Sequence, residues 1–393
     1  MIEKLRKEFE EIYFSNVSTT KGLETLAENM GISKNSLRRF LGKMKGSSEL
    51  RISTLNLIAN RLGYKNFQDF CSNKGSSQSP LDFELLDIYY GSVKGKGTSV
   101  DESRFQNANY YFAEKIISDP QNLKEFMKRF AENEEALVYV LAWHPSYENI
   151  ANLHYQDALM RLAKTTTKPD IKVFVYSFIY FGKFLSEQLT KADADFLMVQ
   201  IEKFTSKMRK EISVFRPFTE ARYSIAKCIH AFSFPTESGN RDAETELSQS
   251  IRLINRPDIS ISDRLIYVIY VTNILNILKD YENADLCFGD EISAKKLQQF
   301  GEDNPTFEAH LFLYQLNKAI TLFNLEKKKE AMAIFENLPA DINDMKTYSF
   351  DSKIYYELKY HYFAKQIFPK REDFKQKFEI LVDKTQFTYL RKI

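Results

Sequence analysis

The stretch "LAENMGISKNSLRRFLGK", Leu26 to Lys43, places an alanine and a glycine four residues apart and follows them with a burst of cations. Apolar residues recur at helical spacing on both sides of Gly31. This pattern predicts a helix from about Thr20 to Met30, with Leu23, Leu26, Ala27 and Met30 on one face and Thr19 or Thr20 capping its start. Gly31 ends that helix, because a sharp turn needs a left-handed backbone there. Ser33 then caps a second helix that buries Leu37, Phe40 and Leu41. Ala27 is small because the two helices cross closely at its position.

An alanine, a glycine four residues on, and apolar residues six and nine beyond it (Leu37 and Phe40) form the helix-turn-helix pattern. In that geometry the second helix enters the DNA major groove. Lys34, Asn35, Arg38 and Arg39 are left facing outward. Arginine pairs with guanine O6/N7 and asparagine with adenine N6/N7, both through two hydrogen bonds. Ser33, Ser36 and Lys43 suit phosphates, which position a protein without specifying sequence.

Downstream, "RISTLNLIANRLGYKNFQDF" reads as a capped helix from Ser53 to Leu62, with Ile52, Leu55, Ile58, Ala59 and Leu62 at helical spacing, then Gly63 and another short helix. With an N-terminal helix carrying Ile2, Leu5, Phe9 and Ile12, this makes a five-helix bundle. Residues 1–72 thus resemble the phage-repressor-like (Xre/Cro-type) helix-turn-helix regulators, whose last two helices close the core behind the DNA-reading helix. The long basic loop "GKMKGSSELR" departs from that family's pattern.

The charge distribution agrees. The chain of 393 residues carries a net charge of only +2, yet residues 1–73 hold 12 Lys and Arg against 8 Asp and Glu. Between residues 31 and 65, Lys34, Arg38, Arg39, Lys43, Lys45, Arg51, Arg61 and Lys65 face Glu49 alone. A local cationic patch on a near-neutral body points to a polyanionic partner.

Beyond this bundle the polar segment Cys71 to Pro80 reads as a linker, followed by the short helix "LDFELLDIYY". The Gly91–Thr98 segment "GSVKGKGT" lacks the P-loop spacing and the closing Ser/Thr after its lysine, which leaves a nucleotide switch as a minor alternative. Residues 73–103 are therefore a linker with a short helix and a loop. Residues 104–393 form amphipathic helix after amphipathic helix, punctuated near Pro120, Pro145, Pro169, Pro217, Pro235/Gly239, Pro257, Gly301/Pro305, Pro339 and Pro369. Two helices per 35–50 residues is the signature of an α-solenoid. Two segments resemble tetratricopeptide repeats: one with Leu275, Tyr281, Ala284 and Phe288, the other with Ala319, Leu322, Ala331, Phe335 and Leu338. Neither has that repeat's usual Trp or Gly.

Such arrays bind peptides or partner helices in a concave groove. The register makes Tyr270, Asn273, Asn317 and Asn324 groove candidates, with Tyr176, Tyr180 and Tyr223 extending the line. The Tyr-rich C-terminal segment packs a terminal helix pair or a dimer contact. His144, His154, His230, His310 and His361 are scattered singly, and no metal pair, nucleophile motif or dinucleotide loop stands out. The expectation is a non-enzyme without metal or cofactor. Three distant cysteines and no apolar run long enough for a membrane span place it in the cytoplasm.

The whole reads as an all-α protein, a helix-turn-helix bundle followed by a tetratricopeptide-like α-solenoid. The layout resembles peptide-pheromone-responsive regulators. That resemblance implies double-stranded DNA as partner, a peptide or protein effector in the repeats, and a homodimer. The rival reading is a protein–protein adaptor with no DNA binding.

Overall fold

The computed structural model describes residues 1–13, 17–44, 50–62, 64, 66–73, 81–92, 103–211, 216–256, 258–289, 294–342 and 353–393. Their regular structure is helical throughout, and no strand occurs among them. The protein is all-α. It divides into two compact units, Met1–Asp82 with Asn152–His154, and Phe83–Ala151 with Tyr155–Ile393.

The first unit contains α1 (Ile2–Ile12), α2 (Thr20–Asn29), α3 (Lys34–Phe40), α4 (Ile52–Arg61) and α5 (Phe67–Asn73). Their apolar stripes meet in one core that includes Leu5, Phe9, Leu26, Leu37, Ile58 and Phe70. Phe9 of α1 meets Phe40 of α3 edge-on at 5.5 Å. Tyr64 donates its hydroxyl to Glu8 at 2.7 Å and Tyr13 to the Arg61 carbonyl at 3.2 Å, so polar contacts also tie α1 to the end of α4.

Two expectations for this unit are corrected. Ile52 lies outside the core, at 71% exposure, and Ile2 is also exposed. The cap of α4 is not Ser53: the helix starts at Ile52, with Arg51 in the cap position and no side-chain cap hydrogen bond. The side chain of Ile12, Gly63, half of the basic loop (45–49) and residues 74–80 of the linker lie outside the described residues, while Cys71 belongs to α5.

The second unit opens with α6 (Phe83–Gly91), α7 (Ser103–Ile117), α8 (Pro120–Arg129), α9 (Glu134–Leu137) running into a π-helical turn (Val138–Ala142), and α10 (Leu153–Thr165). Five helix pairs follow. They are α11 (Pro169–Leu185) with α12 (Lys191–Glu211), α13 (Pro217–Ser233) with α14 (Glu237–Ile254), and α15 (Ile261–Ile277) with α16 (Tyr281–Phe288). After α17 (Ala294–Asp303) come α18 (Glu308–Asn324) with α19 (Lys328–Phe335) and α20 (Lys353–Ile367) with α21 (Glu372–Thr385). The break expected near Gly301 and Pro305 falls after Asp303, where α17 ends and a 3-10 turn, Pro305–Phe307, begins. Residues 93–100, which include most of the Gly91–Thr98 segment, are outside the described residues.

The first helices begin at residues 169, 217, 261, 308 and 353, and each packs against the next as well as against its own second helix. They form an inner row, which explains why α11 and α15 are apolar almost all round: a helix covered on several sides has no face to give to water. Proline is the first residue of α8, α11 and α13, where its missing N–H is not needed. Glu187, Lys279 and Glu326 follow α11, α15 and α18 with φ of 57°, 63° and 62°. In each case the next residue's N–H returns to a carbonyl five residues back: Gln188 to Lys183, Asp280 to Leu275, Lys327 to Leu322. These are Schellman-type stops with a charged residue where glycine is usual.

The C-terminus returns to the first pair. Its 3-10 turn, Thr388–Arg391, packs on α11, with Phe184 and Tyr389 rings 4.6 Å apart. Thr388 donates to Glu187 at 2.9 Å, and Lys392 also pairs with Glu187.

Candidate nucleic-acid interface

The turn between α2 and α3 is built by local hydrogen bonds. Thr19 Oγ1 accepts from the Gly22 N–H at 3.0 Å and starts α2. Gly31, at φ +64°, stops it: the Gly31 N–H reaches the Glu28 carbonyl and the Ile32 N–H the Ala27 carbonyl, both at 3.0 Å. Ser33 Oγ accepts from the Ser36 N–H at 3.0 Å and starts α3. Gly42, at φ +69°, repeats the stop, with Lys43 N–H on the Arg38 carbonyl at 2.8 Å. Arg6 of α1 donates to the Phe40 carbonyl, satisfying one of the orphan acceptors at the end of α3. Buried Leu37, Phe40 and Leu41 hold one face of α3 against the core.

The opposite face carries the predicted DNA contacts. Asn35 is exposed and Arg38 half-buried, and among the described residues neither side chain makes a hydrogen bond or ion pair. Arg39 is exposed beside them. Lys34 is held by Glu24 of α2, and Lys43 donates to the Val17 carbonyl, so both are tied down within the bundle. Ser33 is engaged by its capping bond and by a 2.9 Å contact with the Ser36 hydroxyl.

Of the predicted groove residues, all on first helices of pairs, Asn273 and Asn317 are buried and Tyr270 and Asn324 half-buried. Asn317 is fully buried; its Nδ2 donates to the Ile269 carbonyl at 2.9 Å, and its Oδ1 accepts from Lys359 of α20. Asn273 exchanges hydrogen bonds with the Tyr355 hydroxyl of α20 at 2.9 and 3.2 Å. Asn324 donates to the Ile320 carbonyl one turn back in its own helix. The Tyr270 ring meets Phe218 edge-on at 5.2 Å and lies 5.0 Å from the Arg222 guanidinium. Tyr176, Tyr180 and Tyr223 are buried, and the Tyr180 hydroxyl lies 2.9 Å from His230 Nδ1. Helix α20 of the last pair thus covers Asn273 of α15 and Asn317 of α18.

Two inner residues escaped the sequence reading, Arg222 on α13 and Lys359 on α20, at 1% and 4% exposure. Both look like members of a solvated face when the sequence is read alone. Their signal was context: Arg222 is followed by Tyr223 and Ile225 in "EARYSIA", and Lys359 stands among five aromatic residues in "YYELKYHYF".

Among the described residues, no group of three or more His, Cys, Asp and Glu side chains could hold a metal ion. No helix there is long and apolar enough to cross a membrane. Comparison with protein-family models, curated proteins and solved structures gives no match.

Proposed function

We propose that this chain is a cytoplasmic, sequence-specific DNA-binding transcriptional regulator. In this reading α3 enters the major groove, and the helix pairs bind a peptide or protein effector, mediate dimerisation, or both. The observation that carries it is the outward face of α3. Asn35 and Arg38 have no internal partner on a helix whose ends are capped and whose other face is buried. A rigid helix displaying an amide and a guanidinium side by side matches direct base readout.

The test is selection of bound fragments from random and genomic DNA, using the intact chain beside Arg38→Ala/Arg39→Ala at two salt concentrations. Recovery of a motif that the double variant loses supports the reading. Enrichment that ignores these residues, or none at all, sinks it.

One observation favours the protein–protein adaptor instead. Ile52 and Leu57 of α4 are 71% and 40% exposed, two apolar side chains at separate points of the helix that a protein partner would cover. That reading predicts partner binding that barely responds to salt, whereas DNA binding weakens steeply.

A further inference from the structure

Arg222 and Lys359 are buried cations without an acid. Among the described residues neither forms an ion pair, and all their partners are neutral. Arg222 donates from Nη2 to the Tyr147 hydroxyl at 2.9 Å, while its Nε is buried with no partner. Lys359 has the Asn317 amide oxygen and nothing else. Glu220, two residues from Arg222 on α13, is spoken for by Arg209 at 2.6 and 3.1 Å. Burial of a charge carries a heavy desolvation penalty unless an opposite charge meets it. Burial alone drives the Lys359 pKa down to about 7.

The two cations belong to one connected seam. Tyr147, which takes the Arg222 hydrogen bond, stacks on Tyr355 at 4.9 Å. Tyr355 is one helical turn before Lys359 on α20 and is bonded to Asn273. Asn317, which takes the Lys359 bond, also receives Asn276 Nδ2 on its carbonyl at 3.0 Å. Among the described residues the seam offers two basic side chains, several amide and hydroxyl groups, and no carboxylate bonded to either base.

We propose that this seam binds a carboxylate group, with Arg222 and Lys359 as its counter-charges. The inference rests on reading the helix pairs as the effector-binding part of the protein; it does not need the first unit to bind DNA. The shape of the Arg222 environment selects the ligand. Phe174, Phe178, Phe218 and Tyr270 lie 5.0–5.4 Å from the guanidinium carbon and flank the group, leaving its Nε edge without a partner. A flat two-oxygen anion suits that edge better than a tetrahedral phosphate. The carboxylate takes the places that the Tyr147 hydroxyl and the Asn317 amide oxygen hold in its absence. An open cleft of about 350 Å³ elsewhere in this unit, beside Phe232 and Leu275, is edged by Glu244 and Asp280 and repels anions.

The experiment is thermal unfolding of the full chain at matched ionic strength in chloride, acetate and phosphate. Random tetrapeptides with free or amidated C-termini are compared alongside. Acetate or the free-acid peptides should raise the midpoint by about 3–6 °C over chloride. Lys359→Met should abolish that rise while melting no lower than the parent in chloride, since it removes a buried charge with no acid beside it; Arg222→Met should abolish the rise as well. A rise with the free-acid pool alone identifies a peptide C-terminus; an equal rise with acetate identifies a small carboxylate. Stabilisation by phosphate alone, by amidated peptides equally, or retained in Lys359→Met overturns the proposal, as does no stabilisation by any carboxylate. If Arg222→Met is insoluble, Lys359→Met decides. The DNA selection is read separately, so failure there leaves this result standing.

Discussion

Tyr355 of the last helix pair stacks on Tyr147, which precedes the first pair, with ring centroids 4.9 Å apart and planes 21° from parallel. The inner row thus begins and ends in contact with itself. Phe387 completes the joint, fully buried at 6.3 Å from Phe181 and 6.1 Å from Tyr355. Phe387→Ala should cost about 3–5 kcal/mol in urea unfolding. A loss under about 1 kcal/mol would show that the joint is not packed in solution.

Two glycines separate two kinds of constraint. A Cβ on Gly31 meets nothing within 4 Å, so Gly31→Ala is opposed only by its left-handed backbone and should destabilise by about 1–2 kcal/mol. A Cβ on Gly182 would lie 2.4 Å from the Ile150 side chain at an ordinary helical φ. Gly182→Ala should therefore be rescued by Ile150→Ala, whereas no neighbouring substitution should rescue Gly31→Ala. Melting curves of the two singles and the double decide.

Lys279 and Glu326 are strained where glycine is not. Lys279→Gly should stabilise the second unit by about 0.5–1 kcal/mol, the left-handed penalty outweighing the added freedom of the unfolded chain. An unchanged or lower denaturation midpoint would contradict the backbone assignment.

His144 and His361 set an acid limit. Both are buried, and burial pushes each pKa down to about 4; at His361 the nearby Lys377 adds to this and Asp373 opposes it. The folded pKa lies below the unfolded one, so the unfolded chain takes up protons first as pH falls. Their contribution is intact above about pH 6.5 and is lost progressively toward pH 4. His144→Phe and His361→Phe, melted at pH 7 and pH 4.5, should each lose less stability on acidification than the parent.

On the proposed DNA surface, Glu24 restrains Lys34. Glu24→Gln should release that cation, tighten DNA binding and steepen its dependence on salt by about one phosphate contact. Arg38→Ala should weaken the selected site about 10- to 100-fold while sparing non-specific binding. Equal losses on both DNAs would make Arg38 a phosphate contact.

What the sequence disclosed follows the range of the forces involved. The stops at Gly31, the caps at Thr19 and Ser33 and the buried face of α3 were legible because each is settled within four or five residues. Ile52 was misplaced because periodicity continues into a first helical turn that the core does not reach. Asn273 and Asn317 read as groove candidates, yet in the fold their side chains meet Tyr355 and Lys359, 82 and 42 residues away. No local pattern shows that the final pair fills the space beside them. For the same reason the absence of glycine concealed the left-handed turns that Lys279 and Glu326 make.

The return of Thr388–Arg391 onto α11 changes how this unit comes apart. In an open array each repeat leans only on its neighbours, so the ends fray and the middle melts by degrees. Here the two ends are each other's neighbours, and loosening either one strips cover from both. Amide hydrogen exchange should therefore find α11 and α20 opening together, as one cooperative event, instead of a gradient of protection that decays toward the termini.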